Sequence, residues 1–240
     1  MIYVLIIAVG SVLAGAIASV VGFGIGSVLT PLFAVRVGTQ LAVAAVSIPH
    51  LLATALRFWR LRASVDRRVL LSFGITSAAG GLVGALLHSY ASNRSLAIVF
   101  GLLLLFVGIS ELTGFARRMR FGGPVAWVAG GISGVFGGLV GNQGGIRSAA
   151  LLGFDLDRQA FVATATAIGL VVDGARMPVY FATQTAAIAR IWPLVLIATL
   201  GTLAGTVLGV RTLRRIPEPA FRRIVAILLL LLGTYMLLRG

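Results

Sequence analysis

Residues 15–35 read GAIASVVGFGIGSVLTPLFAV, and within them Gly22-Phe23-Gly24-Ile25-Gly26 interrupts an apolar run. Residues 134–155 read GVFGGLVGNQGGIRSAALLGFD, with a second cluster at Gly141-Asn142-Gln143-Gly144-Gly145. Glycine costs a helix interior about 1 kcal/mol relative to alanine. A helix therefore does not run smoothly through either cluster. Inside a bilayer, the backbone groups freed by such a break must be buried in protein or line a polar cavity. Paired interruptions in matching segments of two halves point to a transporter's substrate site.

The two stretches are copies. Shifting the chain by 119 residues aligns Gly15–Arg57 with Gly134–Arg176 over 43 positions without a gap, ten of them identical. The identities include Gly22/Gly141, Gly26/Gly145, Gln40/Gln159 and Arg57/Arg176. Further on, Gly80/Gly201 and Gly84/Gly205 also match. The chain divides into a first membrane repeat at 1–116, a cytoplasmic linker at 117–123 and a second membrane repeat at 124–240. Together they form one membrane domain.

Composition sets the environment. The 240 residues have mean hydropathy +1.06, with 59% hydrophobic and only 11% charged. Soluble domains carry about 25% charged residues. Apolar runs of spanning length make this an all-α polytopic membrane protein. Residues 1–22 resemble a signal peptide, with Ala16-Ile17-Ala18 as a cleavage-like site. The segment lacks a positive n-region and has a counterpart in mid-chain, so it reads as a retained helix.

The formal charge is +14, and all 20 basic residues are arginines. They cluster in short loops between apolar runs, the pattern of cytoplasmic loops, so nucleic acid is not expected as a partner. The absence of cysteine excludes disulfides, thiolate metal sites and thiol relays. Two histidines and six acids form no metal-binding motif. No P-loop is present for ATP hydrolysis, and no cofactor is expected.

Each repeat reads as five segments, roughly 2–21, 27–35, 39–57, 69–90 and 95–115, then 124–140, 146–154, 158–182, 189–209 and 219–238. At about 1.5 Å per residue, the short second segments cover about half a bilayer. The first two segments of each repeat therefore form a hairpin with a glycine tip inside the membrane. If each hairpin enters and leaves on one side, the loop arginines split 14 against 4. Eight simple spans give 10 against 8, which specifies no orientation. The positive-inside rule selects two hairpins plus six spanning helices, hence two inverted repeats, each a glycine-tipped hairpin plus three transmembrane helices, with both termini outside.

The tips carry the chemistry. Each short helix would begin just after its glycines and point unpaired N–H groups and a positive dipole end inward, which makes an anion site. Candidate binding residues are Gly22, Phe23, Gly24, Gly26, Asn142, Gln143, Gly144, Gly145 and Arg147. Arg147 either contacts the anion with its planar fork or pairs with Asp155 or Asp157 towards the surface. His50, about 16 Å into its helix and following Pro49, binds the anion, carries a proton, or is a satisfied buried histidine. Arg57, Asp173 and Arg176 are candidates for a vestibule or gate. Asp173 and Arg176 have i, i+3 spacing for a pair, whereas Arg57 reads better as positive-inside anchoring. In an inverted repeat, Arg57 and Arg176 are expected towards opposite faces. Glu111 reads as interfacial. Gly131-Ile132-Ser133-Gly134 has the form used by intramembrane serine proteases, but glycines at this spacing more often serve helix packing. No catalytic residue is assigned.

These residues resemble the TauE/SafE family of sulfite and organosulfur-anion exporters. Gly22, Gly24, Gly26 and Pro31 match its first glycine signature, and Gly141, Gly144 and Gly145 its second. Asn142 and Gln143 stand where glycine is common in the family, and Ala150 where proline is expected. The resemblance implies a carrier of a small anion such as sulfite or a sulfonate. The resulting expectation is a multi-pass protein of the bacterial inner membrane, monomeric or homodimeric, that moves a small anion by alternating access. An anion channel using the same tips and an intramembrane serine hydrolase are the alternatives.

Overall fold

The computed structural model describes residues 1–115, 124–213 and 218–239. The linker at 117–123, with Arg117, Arg118 and Arg120, lies outside the described residues, as do Arg214 and Arg215. Ten helices follow in order: α1 (Ile2–Val21), α2 (Ile25–Val37), α3 (Thr39–Leu61), α4 (Arg67–Tyr90), α5 (Asn93–Thr113), α6 (Pro124–Val140), α7 (Gly144–Leu151), α8 (Arg158–Arg190), α9 (Trp192–Leu213) and α10 (Glu218–Arg239). The fold is all-α, with no strand among the described residues.

Seven of these helices are long and apolar enough to cross a membrane. α1 is one of them, although its counterpart α6 has only 17 residues. Large apolar side chains such as Leu5, Leu87, Leu102, Val128, Leu200 and Leu231 stand exposed on the outside of the bundle. That is the surface a multi-pass protein offers to lipid. Several boundaries move relative to the sequence reading. α8 continues through Pro178 to Arg190 rather than ending near 182, and a turn at Ile191 leads directly into Trp192-Pro193. Proline fits the first turn of α9, where its missing N–H needs no partner.

Helix directions follow from the contacts. In α3 and α8, Ser47 meets Met177, His50 meets Asp173, and Ser64 beyond α3 meets Gln159, so the two helices run antiparallel. α5 and α10 are also antiparallel, with Gly101 against Leu237 and Gly108 against Leu230. α1 packs along α9 and α4 along α6, each pair parallel. Backbone contact makes these two seams. A Cβ at Gly84 would overlap the Val135 carbonyl, and one at Gly205 the Val12 carbonyl. Small residues at such spacing let membrane helices approach to backbone distance.

Two ends of the bundle can be distinguished. At one, Gln40 of α3 bonds Asn93 and the His88 carbonyl, and the Arg36 guanidinium lies 4.4 Å from the centre of the Tyr3 ring. At the other, Gln159 bonds Ser64, Asp66 bonds Thr164, and Arg222 of α10 pairs with Glu111 of α5 at 3.1 Å. The second end holds Arg60, Arg62, Arg67, Arg68, Arg158 and Arg222.

Candidate functional site

Two helical hairpins bring the glycine clusters together. α1 ends at Gly22 and α6 at Gly141, both left-handed, with φ of 86° and 72°. Only glycine takes that conformation without strain. Tip meets tip directly: a Cβ at Gly26 would overlap the Gly141 carbonyl, and one at Gly144 the Phe23 side chain. The tips are therefore in contact, with no gap held open between them. α2 starts from Gly24 and α7 from Gln143, so both present first-turn N–H groups that have no intrahelical partner.

Arg147 sits in the first turn of α7 and is 3% exposed, so it does not snorkel. Its Nη2 donates to the Gly22 carbonyl of the opposite tip at 3.2 Å, and the surface acids Asp155 and Asp157 do not hold it. Its Nε and Nη1 are buried with no hydrogen-bond partner among the described residues. Asn142 Nδ2 and Gln143 Oε1 beside it are likewise buried and unpartnered. Buried polar groups are nearly always satisfied, so three orphaned donors and one orphaned acceptor at one tip call for a ligand or water.

Asp173 and Arg176 form the pair expected from their spacing. Arg176 Nη2 and Nε lie 2.8 and 3.0 Å from Asp173 Oδ1. The other carboxylate oxygen accepts from His50 Nδ1 at 2.7 Å, linking α3 to α8. Sequence spacing gave no sign of this contact. An acid alone in a long apolar segment marks a site, but its partner across the bundle depends on packing.

Arg57 and Arg176 correct the sequence reading. Neither lies in a vestibule at a membrane face, and Arg57 is not an anchor. Both are buried, 6% and 2% exposed. Arg57 Nη1 donates to the Ala18 carbonyl at 2.5 Å, and Arg176 Nη1 to the Gly137 carbonyl at 2.7 Å. Ala18 and Gly137 are related by the same 119-residue shift as the two arginines. Each lies four residues before its tip glycine, at the C-terminal end of α1 or α6. Each carbonyl also accepts from its tip glycine's N–H, so the arginine adds a second hydrogen bond at the negative end of the helix dipole. Both arginines thus stand at the level of the tips and brace them. Removing Arg57 from the anchoring set leaves the loop arginines thirteen against four.

The same shift maps His50 onto Gly169, Thr54 onto Asp173, and Val28 onto Arg147. Opposite the His50–Asp173 contact, Gly169 therefore faces Thr54. Arg147 Nη1 comes within 2.9 Å of where a Gly169 Cβ would stand. The place of the missing imidazole is taken by the Arg147 guanidinium.

Ser133 donates to the Gln143 carbonyl at 3.3 Å. His50 is engaged by Asp173, and the His88 ring by the Leu139 carbonyl. No group of three or more metal-ligating side chains occurs among the described residues.

A cavity of about 330 Å³ reaches the tips at Phe23 and Gly145 from the arginine-rich end, past Ser148, Glu111, Arg158 and Arg222. The Ser148 hydroxyl in its wall is buried and unpartnered.

Apolar helices, two helical hairpins meeting at glycine tips, and buried cations at those tips define a polytopic membrane protein of the transporter class. A family model for the sulfite exporter TauE/SafE matches residues 7–236, and the chain belongs to that family. No curated protein and no solved structure matches it.

Proposed function

We propose that this protein is a secondary transporter that moves a small anion, sulfite, a sulfonate or a related organosulfur anion, across the cytoplasmic membrane of a bacterial cell by alternating access. The observation that carries the reading is Arg147. A guanidinium 3% exposed, with two of its nitrogens unpartnered, sits at a helix N-terminus against the opposite tip. Placing a bare cation there is expensive, and an anion bound against the tip of α7 would satisfy it. The buried formal charges near the tips are three arginines, Arg57, Arg147 and Arg176, against one aspartate, Asp173. Gly22, Phe23, Gly24, Gly26, Asn142, Gln143, Gly144 and Gly145 would supply the remaining contacts.

Two further observations support the mechanism. The antiparallel course of α3 against α8 and of α5 against α10 fits two inverted repeats, the architecture of rocking carriers. The cavity running to the tips from the arginine-rich end fits access from the cytoplasm.

The test is binding and flux with purified protein. Thermal stabilisation by sulfite, thiosulfate and methanesulfonate, but not by choline, is the expected result. In liposomes, uptake should saturate and trans-anion should accelerate it. Flux that stays linear with concentration would identify a channel instead.

A further inference from the structure

We propose that His50 and Asp173 form the coupling-proton site, His50 Nε2 taking up one proton with each anion bound at the tips. The proposal rests on the anion reading above. The His50 ring donates its Nδ1 proton to Asp173 Oδ2 at 2.7 Å. A carboxylate held by Arg176 fixes that tautomer and leaves Nε2 as the free acceptor. Asp173 is 0% exposed and the His50 side chain 13%, so the imidazole is the more accessible member of the pair.

Position couples this ring to the substrate. Its contact with Asp173 joins α3 to α8, equivalent helices of the two halves, and so spans the surface along which they would move. The charged groups around it are Asp173 and Arg176 from α8 and Arg57 on its own helix, while Arg147 of α7 lies against Gly169 of α8. Nearby, Tyr180 is held on the Gly138 carbonyl and His88 on the Leu139 carbonyl. With His50 neutral the buried set already has two more positive than negative charges. A protonated imidazole adds a third, which an incoming anion offsets. Anion and proton therefore favour each other's binding, and the linkage is reciprocal. In the transfer step an O–H bond of hydronium breaks and its proton bonds to the Nε2 lone pair, giving imidazolium and water. On release that bond breaks and the proton returns to water on the other side.

The probe is thiosulfate, with methanesulfonate as a second, because neither changes charge near neutral pH. Thiosulfate affinity should rise as the pH is lowered, by up to about tenfold per pH unit where one proton is taken up with each anion. The slope should vanish in His50→Gln, whose neutral amide should bind thiosulfate with the weaker affinity of the unprotonated protein at every pH. The protein has two histidines, so labelled imidazole NMR resolves the site directly, with His88→Gln assigning the signals. Adding thiosulfate at fixed pH should move the His50 signal to its protonated form. A pH-independent affinity, or a His50 signal unmoved by bound thiosulfate, overturns the proposal while leaving the anion reading intact. Failure of thiosulfate, sulfite and methanesulfonate alike to bind removes both.

Discussion

At the residue scale, three buried arginines divide the work. Arg57 and Arg176 hold helix-end carbonyls of their own hairpins, while Arg147 crosses to the other tip and keeps two nitrogens without a partner. Arg147→Ala should weaken anion binding by about 2 kcal/mol or more, because a charge-assisted contact is lost in a desolvated site. Arg147→Lys should recover only part, since an ammonium lacks the planar fork. Titration calorimetry with thiosulfate measures both, and equal affinity in all three proteins would return Arg147 to a structural role. The bracing arginines should differ in stability. Arg176→Ala removes the cation paired with a fully buried aspartate, leaving it only the His50 hydrogen bond, and should cost about 3–5 kcal/mol. Arg57→Ala loses a hydrogen bond to a neutral carbonyl and a long 3.3 Å contact with Thr54, and should cost about 1–3 kcal/mol. Reversible unfolding in mixed micelles ranks the two, and a larger loss for Arg57→Ala would contradict the assignment.

At the scale of elements, glycine does two separate jobs. At the tips it permits the left-handed turn and the close approach of Gly26 to Gly141 and of Phe23 to Gly144. Along the α4–α6 and α1–α9 seams it permits backbone contact between parallel helices. The two jobs should separate in experiment. Gly24→Leu and Gly144→Leu should abolish transport while the protein still inserts. At Gly24 the side chain meets Ile17 in a strained backbone conformation, and at Gly144 it displaces Phe23. Gly84→Leu and Gly205→Leu should reduce stability first, by about 1–3 kcal/mol or more for an overpacked seam. Flux in liposomes set against unfolding midpoints distinguishes the classes. Normal transport by the tip variants would remove the tips from the substrate path.

At the scale of the molecule, the loop arginines define a polar asymmetry. The end that carries Arg60, Arg62, Arg67, Arg68, Arg158 and Arg222 is also the end from which the cavity runs inward. If that end is cytoplasmic, both termini are periplasmic. The chain lacks cysteine, so single substitutions report on a silent background. Ser92→Cys should label with an impermeant maleimide from outside intact cells. Ser64→Cys should label only after permeabilisation. The reverse pattern would invert the orientation, and labelling of both sites from outside would mean that α4 does not cross the membrane.

Much of the architecture was legible in the order of residues. Apolar length, the 119-residue repeat and the loop arginines gave the segments, the hairpins and the grouping of the loops, because hydrophobic burial and the positive-inside bias act on composition along the chain. The acid–arginine pair in α8 was also legible, since i, i+3 neighbours lie on one face whatever the helix packs against. The rest was decided by tertiary structure. A segment's periodicity does not say which helix its polar face meets. Arg57 thus read as an anchor until packing placed the end of α1 beside it, and a buried carbonyl proved the better partner for its guanidinium than lipid headgroups. The His50–Asp173 contact and the filling of the Gly169 gap by Arg147 join residues more than a hundred and some twenty positions apart respectively. They exist only because α3 and α8 run antiparallel and bring one imbalance between the two halves, a histidine against a glycine, to the level of the tips.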